Sequence, residues 1–244
     1  MKIKIIAPIT TKKFEEETQR EAINFVSPGT EVDTECIEYG AASIECAYDE
    51  TLCIPGILRV CEKAEKEGYD GVFISCMGDP GVSAARELLS IPVVGPARTS
   101  MLFAADLSHR FSIVTVLENV IVMLEELALG VGLKEKLASV RSVEIPVLAL
   151  EDRKKLLQAL VSESLKAIEE DGAHSIILGC TGMIGVTGEV EKGLRQKGHR
   201  VPVIYPVPVT IKYLEALVNL RLTQSKKTYM PPPDKERNIW ERLR

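Results

Sequence analysis

Two stretches constrain this chain more than any others: YDGVFISCMGDPG at 69–81 and AHSIILGCTGMIG at 173–185. Each is a short apolar run that delivers a cysteine, Cys76 or Cys180, into a turn containing glycine. The runs (Val72, Phe73, Ile74; Ile176, Ile177, Leu178) do not alternate with polar residues, as expected of strands buried on both faces of a parallel sheet. In such sheets ligands bind beyond the carboxyl ends of the strands. Two cysteines at two such ends are therefore expected to face one small pocket.

The surrounding segments repeat the same order. In the first half, strands are predicted at 2–8, 31–37, the Cys76 run and 92–95, with helices at about 11–26, 54–67 and 80–89. Pro55 and Gly68 are the start and stop signals of the middle helix. In the second half, strands are predicted at 111–117, 139–143, the Cys180 run and 202–204. Helices are expected at 117–129, at 152–170 with Asp152 as its cap, and at a segment ending near 196. The hexapeptide IPVVGP at 91–96 is echoed by VPVIYP at 201–206. This alternation predicts an α/β fold of two pseudo-symmetric, doubly wound parallel-sheet subdomains with the site in the cleft between them. The expected division is 1–97 plus 206–220 for the first subdomain and 98–205 for the second, a helix at 209–220 returning to the first. The remaining 221–244 form a C-terminal tail too poor in apolar residues to build a core. It is an extended arm, which Trp240 could dock on a partner subunit, or a disordered end.

Composition removes several classes of function. With 30 Lys and Arg against 35 Asp and Glu, the net charge of −5 offers no nucleic-acid surface. No apolar run is long enough to span a membrane, and the apolar core of MKIKIIAPIT is too short for a secretory signal. The six cysteines form no CxxC pair and no zinc-spaced cluster with histidine, so reduced thiols in a cytoplasm are expected, with no metal. His109, His174 and His199 are isolated and take surface or structural roles. No glycine-rich nucleotide motif follows a strand, so neither a dinucleotide nor a nucleoside triphosphate site is indicated.

Chemistry therefore falls to the two strand-end thiols. Cys36, Cys46, Cys53 and Cys61 lie in or beside predicted elements and behave as small buried hydrophobes. Cys76 and Cys180 lie where backbone N–H groups and helix N-termini favour thiolate. Inverting a carbon acid needs a base on one face and an acid on the other; one thiolate and one thiol meet that need without a cofactor. Donors on the two turns would hold the developing enolate. Gly78, Thr181 and Gly182 in those turns are candidate substrate-binding residues. Thr10 and Thr115, each following the first strand of its half, are expected either to reach the same cleft or to act as caps. Asp79, beside Cys76, is either a substrate-site carboxylate or, with Pro80 after it, a helix cap.

CMGDPGVSAARELLSIPVVG and LGCTGM resemble the aspartate/glutamate/hydantoin racemase superfamily, specifically its hydantoin racemase branch. The loop Gly40-Ala41-Ala42-Ser43-Ile44-Glu45, followed by Tyr48-Asp49-Glu50, is similar to that branch's G-P-x-S-I-E loop, which adds Ser43 to the candidate substrate residues. Phe111 to Thr115 resembles the strand that opens its second half. The resemblance spans nearly the whole chain to about Leu220. It implies a cofactor-independent, two-thiol racemase or epimerase with Cys76 and Cys180 as acid and base, assembled as a homo-oligomer. The implied substrate is a 5-substituted hydantoin or a related ureide such as allantoin. The alternatives are an aspartate or glutamate racemase, a thiol-dependent isomerase or decarboxylase of the same superfamily, and a non-catalytic small-ligand binding protein. One departure stands out: the branch opens with N-P-N-T, whereas this chain has Ala7-Pro8-Ile9-Thr10.

Overall fold

The computed structural model describes residues 1–237, so Trp240 lies outside the described residues. The first sheet contains β1 (Lys2–Ala7), β2 (Glu31–Cys36), β3 (Gly71–Ile74) and β4 (Val93–Val94) in the order β2-β1-β3-β4. The second contains β5 (Phe111–Thr115), β6 (Leu137–Ser142), β7 (Ser175–Leu178) and β8 (Val203–Ile204) in the order β6-β5-β7-β8. Every pairing is parallel, and the two orders are the same permutation of their own chain order. The expected pair of doubly wound sheets is thus what forms. Both cysteine-bearing strands, β3 and β7, are central and entirely buried, which accounts for their unbroken apolar runs.

The helices are α1 (Lys13–Ala22), α2 (Ala47–Lys66), α3 (Val82–Leu88), α4 (Pro96–Leu107), α5 (Ile121–Gly130), α6 (Arg153–Glu169), α7 (Thr187–Gln196) and α8 (Pro206–Asn219). Asp152 caps α6 as expected, its carboxylate accepting from the Lys155 N–H at 3.1 Å. Three expectations need correction. First, α2 begins at Ala47, so Pro55 lies inside the helix. Cys46 is extended, and the acidic Asp49 and Glu50 occupy the first turn, where they complement the helix dipole. Second, α3 begins only at Val82, and Asp79 does not cap it. Third, residues 96–107 form a helix that was not expected. Pro96 opens α4 as Pro206 opens α8, the same first-turn signal in the two echoed hexapeptides.

α4 and α8 tie the sheets together. They pack on each other; α4 leaves the first sheet to lie on β5 and β7, and α8 leaves the second to lie on β3 and β4. One apolar core consequently runs from Ile5 and Phe73 through Met101 and Ile211 to Ile113 and Ile177. A second cluster, with Ile6, Ile57, Cys61 and Ile74, fills the space beneath α2.

Past α8 the chain returns to the first sheet. The Gln224 amide accepts from the Val93 N–H and donates to the Leu89 and Ile91 carbonyls, covering the open edge of β4. Lys226 donates to the carbonyls of Arg86, Glu87 and Leu89 at the end of α3.

Candidate active site

The exits of the central strands converge. Residues 7–9 at the end of β1, 75–78 after β3, Val116 and Val120 after β5, and 179–182 after β7 line one cavity of about 60 Å³. Phe14 and Thr18 of α1, Ile44, Cys46, Met123 and Val147 complete it. Cys76 and Cys180 both open onto this space, one from each sheet.

The two thiols sit in matching turns. The Gly78 N–H lies 3.5 Å from Cys76 Sγ, and the Gly182 N–H lies 3.4 Å from Cys180 Sγ. The next N–H in each turn returns to the cysteine carbonyl, Asp79 to Cys76 at 3.0 Å and Met183 to Cys180 at 3.2 Å. Each sulfur therefore faces one backbone donor, which favours its anionic form. Burial opposes this and wins at both positions. The Cys180 thiol is pushed up to about 11, with Glu45 adding a little. The Cys76 thiol is pushed higher still, by burial and then by the negative neighbours Cys180, Glu50 and Asp79. Cys180 is thus the easier of the two to ionise.

Close backbone approach sets the turns. A Cβ on Gly179 would stand 2.7 Å from the Thr115 Cα, so only glycine lets the Cys180 loop pass against β5. A Cβ on Gly78 would stand 2.9 Å from Glu50 Oε2, so the Glu50 carboxyl rests directly on the Cys76 turn. Burial, with Asp79 next, raises that carboxyl to about 7.

Of the other residues expected at the site, Gly78, Thr181 and Gly182 line the cavity. The Thr181 hydroxyl spends its proton on the Ser75 carbonyl at 3.1 Å, joining the two cysteine turns. Thr10 and Thr115 do not reach the cavity. Thr10 donates to the Ala41 carbonyl, and fully buried Thr115 donates to the Gly179 carbonyl at 3.2 Å. Ser43 sits beside Ile44 without lining the cavity, and Asp79 turns away from it. Asp79 adopts a left-handed backbone, φ 48°, and accepts from the Ala97 and Arg98 N–H groups, both at 2.9 Å. It is a helix cap after all, but of α4 rather than of the helix that follows it. His109, His174 and His199 lie away from the cavity, and His199 pairs with Glu169.

Several cavity residues were not singled out from sequence. Cys46 is a third cysteine at the wall, and Val116, Val120, Met123 and Val147 make much of that wall hydrocarbon. Ala7 and Ile9, noted only as departures from a motif, form another side of it. Among the described residues, no group of three or more His, Cys, Asp or Glu is placed to hold a metal ion.

Duplicated parallel sheets with one thiol each, meeting at a shared cavity, define a class of α/β protein with a paired-cysteine cleft. The family described as Asp/Glu/Hydantoin racemase matches residues 3–214. A hydantoin racemase of Pseudomonas sp. (strain NS671) is 40% identical over 238 residues, 97% of this chain and 94% of that protein. A hydantoin racemase of Paenarthrobacter aurescens is 35% identical, covering 97% and 99%. The solved allantoin racemase from Klebsiella pneumoniae superposes with a TM-score of 0.91 at 34% identity, over 98% of this chain and 97% of that one. The chain belongs to the Asp/Glu/Hydantoin racemase family, and it is a racemase.

Proposed function

We propose that this racemase inverts C5 of 5-monosubstituted hydantoins by a two-thiol mechanism. The carrying observation is that Cys76 and Cys180 enter one cavity from matching turns of two like sheets. Hydantoin and allantoin racemases among its relatives supply the ring, a cyclic ureide whose C5–H is acidified by the adjacent carbonyl.

The step balances within the pair. The thiolate of one cysteine takes the C5 proton, and the bonding electrons move onto the C4 carbonyl oxygen as an enolate. Backbone N–H groups of the two turns stabilise that oxygen. The thiol on the opposite face then gives its proton to C5, leaving the two cysteines with exchanged protonation states. Because Cys180 ionises more easily, it is the resting base, and Cys76, held protonated among carboxylates, is the resting acid. For the enantiomer approaching from the other side the roles reverse.

Changing either cysteine to serine is expected to lower kcat by about 10²–10⁴-fold, the usual worth of a positioned acid or base. In deuterium oxide the wild type should incorporate one deuterium at C5 of a single hydantoin enantiomer as optical rotation decays. Racemisation at the wild-type rate by C76S or C180S would show that the pair is not the acid and base.

A further inference from the structure

Behind the Cys180 turn lies a buried polar chain that the thiol chemistry does not use. Tyr205, between β8 and α8, places its hydroxyl 2.9 Å from the Thr181 carbonyl and 2.5 Å from Glu21 Oε2. Both Tyr205 and Glu21 are buried. A tyrosine hydroxyl has one proton, and a backbone carbonyl only accepts. If Tyr205 donates to Thr181, the short contact to Glu21 must be bridged by a proton on the carboxyl. If Glu21 is ionised, Tyr205 must turn its proton to it, and the Thr181 carbonyl loses its donor.

We propose that Glu21 and Tyr205 are positioning residues for Cys180: protonated Glu21 donates to Tyr205, which donates to the Thr181 carbonyl and fixes the turn carrying the thiol. Thr181 is the residue to fix, because its hydroxyl already reaches the Ser75 carbonyl beside Cys76. Holding its carbonyl sets the two turns relative to each other. The chain also crosses the fold, since Glu21 belongs to α1 and Tyr205 to the exit of the second sheet.

The charged surroundings are consistent with a neutral carboxyl. Glu17 and Arg20 of its own helix and Glu151 and Arg153 opposite line the same open groove as Glu21. Arg153 is engaged with Glu189 and the Gly185 carbonyl, and Glu151 with Lys13. Its partners are Tyr205, which is pushed well up and feels Cys180, and the Gly185 N–H. Burial outweighs these donors and raises Glu21 to about 7. The carbonyl of Thr181 is therefore held on the acid side of neutrality and released as Glu21 ionises.

The proposal rests on Cys180 being one of the two reacting thiols, and its test has one readout that needs no substrate. The ratio of Cys180 to Cys76 alkylation by N-ethylmaleimide, located by mass spectrometry, should change in the wild type as pH passes 7. In E21Q that step should shrink to what Glu50, which also titrates near 7 beside Cys76, contributes, because the glutamine amide donates to Tyr205 at every pH. With substrate, E21A and Y205F should lose kcat by about 10- to 100-fold, the cost of a slightly misplaced reacting group, with KM changing far less. E21Q should restore most of what E21A loses, and its kcat relative to wild type should climb as pH rises through 7. A wild-type step no larger than that of E21Q overturns the proposal even if the enzyme racemises hydantoins. So does E21Q behaving like E21A. A larger step in the wild type than in E21Q, without any hydantoin turnover, would support the chain and remove the proposed substrate instead.

Discussion

At the scale of single residues, burial makes both thiols hard to ionise and neighbouring carboxyls add to it. Glu50 has its carboxyl on Gly78 and contributes to raising Cys76. Replacing it with glutamine removes a negative charge while keeping the shape. E50Q should therefore speed alkylation of Cys76 at pH 8, because the thiol loses one of the charges that raise it. Its effect on stability has a definite sign. The folded value of about 7 lies above the ordinary 4.5, so the stabilisation present below 4.5 is lost as pH rises through 7. At pH 8 the glutamine variant should be more stable than the wild type, by on the order of 2 kcal/mol, whereas at pH 4 the two should match. Urea unfolding at both pH values checks this, and equal midpoints at pH 8 would refute it. Neither Glu50 nor Asp79 could be assigned from sequence. Asp79 precedes a proline and reads as the cap of the following helix, but Gly81 at φ 69° delays that helix and Asp79 caps α4 instead. A local motif carries no record of which distant N–H groups its carboxylate meets.

At the scale of elements, what was legible is what the chain encodes locally. The inner strands β1, β3, β5 and β7 follow from buried apolar residues, and the duplicated order from repeated turns. The elements that differ are those whose boundaries depend on partners. α2 runs through Pro55 because its apolar face is buried against β1 and β3, and that packing outweighs the one backbone bond a proline removes. α4 buries Ala97, Thr99, Ser100, Met101 and Ala104 against β5, β7 and α8, so small and polar residues blur the apolar stripe by which a helix is read. The segment after α8 has almost no apolar content and gives no sequence signal of order. It is ordered by polar bonds, with Gln224 on the edge of β4 and Lys226 on three carbonyls. Lys226 satisfies the end of α3 and complements its dipole. K226A should lower stability by about 1–2 kcal/mol, the worth of a charge-assisted helix cap. K226R, which retains the charge, should lose less. Thermal unfolding at one pH measures both, and an unchanged midpoint for K226A would mean that the tail contributes no stability.

At the scale of the whole molecule, the site exists only where the halves meet. The Glu45 carboxylate accepts from the Val147 N–H at 2.7 Å, joining the loop that carries Ile44 to the second sheet above the cavity. With the bond from Thr181 to Ser75, it holds the two sides together around about 60 Å³ of space. The wall that a 5-substituent would face is set by both halves: Ile9 and Ile44 from the first, Val116, Val120, Met123 and Val147 from the second. Polar groups are concentrated at the cysteine turns, where the ring and its enolate oxygen would bind. Allantoin carries a ureido group at C5, and burying it against this wall would strand several donors and an acceptor. Each unpaired group costs about 1–3 kcal/mol, whereas a compact aliphatic group gains from the same contact. A hydantoin bearing an isopropyl or isobutyl group at C5 should therefore exceed allantoin in kcat/KM by about 10- to 100-fold. Replacing Ile9 by asparagine should narrow that ratio, because it returns a polar partner to the wall. Polarimetry on single enantiomers of both substrates measures the difference. Allantoin turning over as fast as the alkyl hydantoins would mean that this apolar wall does not set the choice of substrate.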